Sequence, residues 1–535
     1  MKFQRDDGAV TLRRSFEEWL LSSKSRVFFS LAAVVGVLYL PALDSYFMSD
    51  DFNLVTILTP THDAVAWQRV WQDFRSPVTC DACETFYRPL LALSGAVDFF
   101  FWGLNPMGYH VTNMVVQLFN CWLAYLLVYS LTGRVRAAAL AGLFIAIYPY
   151  HPKDVLWGIG RNGLLVGTFM LGSLLGYAEY LRRSTHRWLW YLCSLGSFVL
   201  ALLTKETAVA APPAILALWA LFIFPLVRAN WEKWGISLTS VFAFFAILVA
   251  YTAFRWAIFG TIIGRYGDTG IQIWDPGVLP RGLIHLAWYS LLPLGGLMEA
   301  PKIKFLLWGV AGCAGLLGVY FLLMGRKDRM AAFFALVTVF FALPIIAVTA
   351  AANSPADFMR IQYVPSIGFC LLIAYQIETA LRKPYHRMVA AVLGSLYGGL
   401  FAVNSIPWVM SSAITRTLLG EIERHTGQPG TNRIVVDIPE TYYGGQLFGH
   451  KAWALELAAR EPFTRTPPHV QVIHRARLES QGNPPGTVLI RWEPQRLVLI
   501  QQSPAHVSES LTPVCPLPFA LCDETGPRGR SGRDY

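Results

Sequence analysis

Apolar runs long enough to cross a bilayer recur along the first 408 residues of this chain, and short basic clusters separate many of them. Lipid offers no hydrogen-bond partner to a backbone N–H or C=O, so runs of this kind can fold only as helices that satisfy their own backbone. The candidates are residues 27–43, 108–131, 136–150, 164–181, 188–204, 207–225, 236–257, 305–325, 330–348, 362–381 and 386–408, about eleven spans of roughly 20 residues each. Composition agrees: 54% of the chain is hydrophobic and only 15% charged, unlike a soluble domain. The formal charge of +10 would suggest nucleic-acid binding in a soluble protein. Here the basic residues fall between apolar runs, where they read as topology signals, and no nucleic-acid partner is expected.

Residues 1–26 carry Lys2, Arg5, Arg13, Arg14, Lys24 and Arg26 without a small-residue cleavage site, which predicts a cytoplasmic tail and a retained first span. Further clusters at Arg134 and Arg136, at Arg182, Arg183 and Arg187, at Arg228 and Lys233, at Arg326, Lys327 and Arg329, and at Arg382, Lys383 and Arg387 fit the same side. An odd number of spans then puts the C-terminal segment opposite the N-terminus. Two apolar stretches break the parity. Residues 88–104 contain Asp98, and residues 283–299 contain the interruption PLGG; both read as interfacial or re-entrant helices.

The predicted fold is therefore an α-helical polytopic membrane protein with external interfacial helices and a small α/β domain. The membrane domain covers 27–408, with its first external loop at 44–107, and the strand-like runs RIVVDIPETYYGG, HVQVIHRA and TVLIRWEPQRLVLI place the external domain at 409–524. Residues 525–535 are Gly/Arg-rich and read as a disordered tail. Cys80, Cys83, Cys515 and Cys522 fall in external segments, where short-range disulfides would suit an oxidising compartment; CDAC could instead be half of a zinc site or a redox motif. The short basic loops point to a bacterial inner membrane with the C-terminal domain in the periplasm; an endoplasmic reticulum location would have the same topology.

Chemistry-bearing residues gather on that external side. Asp50 and Asp51 follow the first span, and Arg88 opens the first interfacial stretch. YPYHPKDVLWGIGRN brings His151, Lys153, Asp154, Arg161 and Asn162, LLTKETAV brings Lys205 and Glu206, and DFMRIQYVPSIGF brings Arg360 and Tyr363. Ionisable groups at a bilayer boundary are costly, so their convergence on one face marks a site. Taken singly, the carboxylates could cap a helix, the arginines could snorkel to headgroups, Lys205 could pair with Glu206, and His151 could be a turn residue.

The ordered set YRPL, GLNPMGYHVTN, HPKDVLWGIGRN, LLTKE and RIQYVPSIGF, after an external DD, resembles the membrane glycosyltransferases of the C-type fold. The similarity is greatest to bacterial relatives of the tetratricopeptide-associated O-mannosyltransferases, and extends to protein O-mannosyltransferases and the lipid A aminoarabinose transferase. The resemblance covers about residues 40–400 and implies an inverting transfer of a monosaccharide from a polyprenyl-phosphate donor, with a first-loop carboxylate as base. It matches Asp50 and Asp51 to the paired carboxylates, His151 to the second histidine of HPxH, Arg161 and Asn162 to GRN, Lys205 and Glu206 to KE, and Arg360 with Tyr363 to RYxYxPS. Tyr148, Lys153, Gly163, Met359 and Ile361 depart from that pattern, which bears on the sugar and acceptor more than on the reaction class.

The chemistry is consistent with those residue types. An acceptor hydroxyl must lose its proton to an ionised carboxylate, and the leaving phosphate needs cations where its charge develops. Asp50 is the expected base, Asp51 its assistant or an acceptor ligand, and Arg88, Arg161, Lys205, Arg360 and His151 the expected contacts to donor phosphate or sugar. The partners implied are the lipid-linked donor, membrane lipids and a glycan, lipid or protein acceptor. No cofactor is required, although a divalent cation such as Mg or Mn on the carboxylates is an alternative way to neutralise the phosphate. A transporter or flippase of lipid-linked sugars, or a polymerase or ligase of surface polysaccharide, would also need basic residues around a lipid phosphate.

Overall fold

The computed structural model describes residues 19–59, 64–76, 86–227, 231–260, 277–291, 293–295, 328–346, 359, 361–381, 385–426, 431–439, 441–448, 453–466, 470–474, 487–493, 496–502 and 507–513. Its helices, in chain order, are α1 (Lys24–Leu38), α2 (Asp50–Leu58), α3 (Trp67–Gln72), α4 (Pro89–Trp102), α5 (Pro106–Thr132), α6 (Val135–Ile147), α7 (Pro152–Leu156), α8 (Arg161–Arg182), α9 (Arg187–Leu202), α10 (Ala211–Phe222), α11 (Phe224–Val227), α12 (Trp231–Phe259), α13 (Val278–Leu291), α14 (Arg329–Ala342), α15 (Tyr363–Ala380), α16 (Tyr385–Thr426) and α17 (Trp453–Ala458). Among the described residues, Pro106–Thr132, Gly158–Arg182, Leu238–Phe259 and Tyr385–Thr426 are long and apolar enough to cross a membrane. Shorter apolar helices cover Pro89–Trp102, Val135–Ile147, Arg187–Leu202, Glu206–Phe222 and Arg329–Ile345. The expected span at 305–325 lies outside the described residues.

Local chemistry sets the ends of these helices. Asn105 caps α5 by accepting from the Met107 N–H at 3.2 Å, Pro106 occupies its first position, and Gly133 closes it in the left-handed region at φ 69°. Close packing uses small residues, since lipid tails are as apolar as the side chains they would displace. Gly172 and Gly176 on α8 face Ser197 and Ser194 on α9, and a Cβ on Gly176 would sit 3.0 Å from the Ser194 backbone.

Contacts at the helix ends define two poles. At one, Ser130 donates to Glu179 at 2.5 Å, Tyr375 donates to Asp328 at 2.7 Å, and Lys24 lies 4.5 Å over the Tyr129 ring. Arg134, Arg136 and Glu378 line a cleft beside Leu21 and Ser22 at the same pole. The basic clusters that fall within the described residues around 134–136 and 182–187 therefore share one end of the bundle. The opposite pole carries the carboxylate pair and the segment 151–163.

The C-terminal strands form a five-stranded sheet in the order β4-β1-β5-β6-β7, with β1 at Arg433–Asp437, β4 at Gln471–His474, β5 at Thr487–Glu493, β6 at Arg496–Gln502 and β7 at Val507–Pro513. β1 pairs in parallel with β4 and β5, while β5, β6 and β7 run antiparallel. A small hairpin of β2 (Thr441–Tyr442) and β3 (Gly445–Gln446) follows β1. The apolar pattern predicts that the last span stops at Trp408, yet α16 continues to Thr426, a 42-residue helix roughly 63 Å long at 1.5 Å per residue. Its second half changes from an apolar run to an amphipathic stripe, and Ile414, Leu418, Leu419 and Ile422 bury against Ile434, Val436 and Leu447.

Asn404 pins α16 to the bundle: its amide donates at 2.9 Å to the carbonyls of both Pro149 and Pro293. Replacing it by leucine strands two buried carbonyls. Asn404→Leu is expected to lower unfolding stability by about 1–3 kcal/mol, read from thermal or denaturant melts of the purified protein in detergent.

Candidate active site

Asp51 is the best-held carboxylate at the site pole. It is 3% exposed, and its oxygens accept from the backbone N–H groups of Met48 at 3.0 Å, Gly158 at 3.3 Å and Ile159 at 2.7 Å. Two distant segments are thus joined through one side chain. The approach leaves no room for a Cβ at Gly158, which would stand 2.9 Å from Asp51 Oδ1. Burial pushes the Asp51 carboxyl up to about 7 against the pull of those three N–H groups, with a smaller push from Asp50. Asp50 sits beside it at the first position of α2, half-buried, where the helix N-terminus favours negative charge. Ser49, just before, is held at φ 49°, a strained conformation for a residue with a Cβ.

A polar core fixes the segment that meets Asp51. The Asn113 amide lies 3.2–3.5 Å from the carbonyl oxygens of Asp154, Val155, Trp157 and Gly158, and His110 is 3.0 Å from the Val155 carbonyl. Arg161 donates to Asn113 Oδ1 at 2.6 Å, to Ser94 Oγ at 2.9 Å and to the Tyr109 carbonyl at 2.9 Å. It also pairs with buried Asp98 on α4. This guanidinium is spent inside the protein, lashing α4 to α5 and α8. Asp51 and Arg161 line one small cavity with Phe47, Leu54, Leu91, Tyr109 and Gly158.

The other expected cations collect on the far side of segment 151–163. Arg88 and Glu206 pair at 3.0 Å, and Arg255 stands 3.8 Å from the same carboxylate. Lys153 and Asp154 form a buried pair at 3.0 Å, and Lys205 donates to Asn162 at 3.3 Å. Burial, with Lys153 and Arg88 nearby, pushes the Lys205 ammonium down to about 7 despite Asp154 and Glu206. Arg88, Lys153, Lys205 and Arg255 therefore face Asp154 and Glu206 with positive charge in excess, an environment suited to an anion. His151 and Tyr363 pack next to this cluster, since a Cβ on Gly163 would stand 2.5 Å from Asp154 Oδ1 and 3.2 Å from the Tyr363 Cβ. His151 is fully buried, bonded to the Ile145 carbonyl and to Ser366 Oγ at 2.7 Å each, and it packs 4.3 Å from the Tyr363 ring. Burial drives its imidazole down to about 3, so it stays neutral. The Tyr363 hydroxyl is engaged by Gln117 and Asn120.

Arg360, Cys80, Cys83, Cys515 and Cys522 lie outside the described residues. Among the described residues no three His, Cys, Asp or Glu side chains stand together as a metal set. Two partners escape the motif reading, Asp98 and Arg255. Both had a signal, since each is a lone charge in an apolar run, which marks a buried partner or a site.

No protein-family model matches the chain. It is 29% identical over 206 residues to a protein O-mannosyl-transferase of Xenopus laevis, covering 37% of this chain and 24% of that one. A protein O-mannosyl-transferase of Homo sapiens is 24% identical over 389 residues, covering 64% of this chain and 42% of that one. The chain thus spans less than half the length of these curated relatives. They are glycosyltransferases by name, as the ordered motifs implied. Among solved structures, ArnT from Cupriavidus metallidurans bound to undecaprenyl phosphate is 14% identical with a TM-score of 0.40, covering 86% of this chain and 92% of that one.

The raised Asp51 pKa has a sign that can be checked. Its folded-state value of about 7 lies above the ordinary 3.8, so between these values the native state binds more proton than the unfolded chain. Its contribution to stability is full below about pH 4 and is lost as pH rises to about 7. Asp51→Asn should remove that part of the slope in melting temperature against pH. It should also cost about 1–3 kcal/mol, because an amide NH2 turned toward three backbone donors leaves some of them unpaired.

Proposed function

We propose that this protein is an inverting glycosyltransferase that moves a monosaccharide from a polyprenyl-phosphate carrier to an acceptor on the external side of the membrane. The observation that carries the reading is the arrangement at one pole: a half-buried carboxylate, Asp50, fixed by its neighbour Asp51 to segment 151–163, whose other side abuts a buried cluster with excess positive charge. The similarity to named O-mannosyl-transferases supports the same class. In this reading about eleven helices span a bacterial inner membrane, the N-terminus is cytoplasmic, and residues 409–524 form a periplasmic domain.

The steps follow from the groups present. Asp50 takes the proton of the acceptor hydroxyl, and that oxygen attacks the anomeric carbon on the face opposite the phosphate. The bond from anomeric carbon to phosphate oxygen breaks, and the leaving polyprenyl phosphate carries off the electron pair. Arg88 and Lys205 receive the charge that develops, with Lys153 and Arg255 behind them, in surroundings where low dielectric strengthens the attraction. Asp51 and Arg161 hold the framework. A carrier with a long apolar tail also accounts for a membrane-embedded site, because only its headgroup has to leave the hydrocarbon.

The test is single-turnover transfer in nanodiscs with a panel of polyprenyl-phosphate monosaccharides and an envelope extract. Wild type should consume one of the donors. Asp50→Asn should slow transfer by about 10²–10⁴-fold with donor affinity retained, whereas Arg88→Gln and Lys205→Gln should weaken donor affinity. Donors bound but never consumed, together with an Asp50→Asn variant indistinguishable from wild type, would refute the transferase reading and favour transport.

A further inference from the structure

The carboxylate turn is gripped from its outer side by a part of the chain almost 400 residues away. The Ser49 N–H donates to the Leu447 carbonyl at 2.8 Å, directly before Asp50 and at the residue held at φ 49°. Phe52, fully buried two positions beyond Asp50, is sandwiched between Phe448, whose ring is nearly parallel at 6.1 Å, and Phe463, which meets it edge-on at 4.8 Å. Phe47 packs on Phe463 from the preceding strand of the loop at 5.9 Å. Leu447 and Phe448 follow the β2–β3 hairpin, and that hairpin lies hard against α16: a Cβ on Gly445 would stand 2.3 Å from the Pro407 carbonyl.

The inner side of the turn is braced by the same helix. Trp408 stacks on Trp157 at 5.7 Å, and Trp157 donates its indole N–H to the Met48 carbonyl at 3.2 Å. Gly158, the next residue, supplies one of the N–H groups that hold Asp51. Outer and inner grips therefore share α16 as a common strut. A strained residue such as Ser49 keeps its conformation only while its surroundings over-determine it, and the outer grip provides both the acceptor for its N–H and the wall behind Phe52.

We infer that Leu447, Phe448 and Phe463 are positioning residues, a clamp through which the segments after the β2–β3 hairpin and after α17 set the Asp50–Asp51 turn in its reactive conformation. The inference rests on the reading of Asp50 as the base. None of the three touches reacting atoms; they act through Ser49 and Phe52. Loosening the clamp should misplace the carboxylate without altering the cation cluster that would bind the donor phosphate. The rate of transfer falls and donor affinity stays.

The experiment uses the full chain in nanodiscs, with Phe448→Ala, Phe463→Ala and the conservative Phe448→Leu. Hydrogen exchange is read over peptides covering 46–58 and 157–160, with peptides from α8 as reference, and kcat and KM are read with whichever polyprenyl-phosphate monosaccharide the wild type consumes. The expected result is faster exchange at 46–58 in both alanine variants with α8 unchanged, a fall in kcat of at least about tenfold with KM within about twofold, and partial recovery in Phe448→Leu. Unchanged exchange at 46–58 in both alanine variants overturns the clamp, as does faster exchange with kcat intact. If an alanine variant at one position fails to fold, the other decides, since Phe448 and Phe463 come from different segments. Failure of the transferase reading shows separately: Asp50→Asn would keep wild-type turnover, or no donor would be consumed, while exchange at 46–58 still reports whether the clamp holds the turn.

Discussion

One carboxylate accepting three backbone N–H groups is the constraint on which the site pole depends. Asp51 draws its donors from Met48 on its own loop and from Gly158 and Ile159, which follow α7 about a hundred residues later. Backbone donors have no rotamers to lose, so their positions are set once the chain is folded, and the carboxylate locks two segments at a fixed distance. The cost is desolvation, visible in the upward push on its pKa. Asp50 inherits a defined place without sharing that burial. The two carboxylates thus differ in burial, Asp51 inside the frame and Asp50 half-buried beside it.

The same economy governs the residues around it. A buried arginine is tolerable only when its donors are met, and Arg161 meets acceptors on α4 and α5 from its place at the start of α8. Asn113 spreads its amide among four carbonyls of segment 154–158, a stretch too short and irregular to satisfy its own backbone. These polar residues do for the loop what a helix does for itself. They satisfy irregular backbone in a buried segment, where an unpaired polar group is expensive.

Much of this was legible in the sequence because apolar period and length are long-range signals. The helices over 106–132, 161–182 and 363–380 lie where the apolar runs stand, and the carboxylates, Arg161, Lys205 and Glu206 lie at one pole as the motifs implied. What stayed hidden depends on contacts between distant residues. Motif order does not reveal that His151 and Tyr363 face one another in a packed core, because a motif gives position along the chain and not the direction of a side chain. Hydropathy marks the change at Trp408 but not the helix that continues through it, since a helix can outlast its own apolar run when an amphipathic stripe finds a new partner. The contact of residues 448 and 463 with the first loop had no sequence signal, as an aromatic cluster assembled from residues 47, 52, 448 and 463 is invisible before folding.

The cation cluster raises a last physical question, which is how an excess of buried positive charge is borne when no phosphate is bound. Four cations against two carboxylates in a low-dielectric pocket repel one another strongly. Lys205 offers a release, since burial and the nearby Lys153 and Arg88 hold its ammonium down to about 7. An arriving phosphate would restore the balance of charge and raise the affinity of Lys205 for a proton. Arginine could not serve in that position, because it does not give up its charge in any protein environment. A lysine at 205, with the charges of Lys153 and Arg88 nearby, can shed charge where an arginine would not.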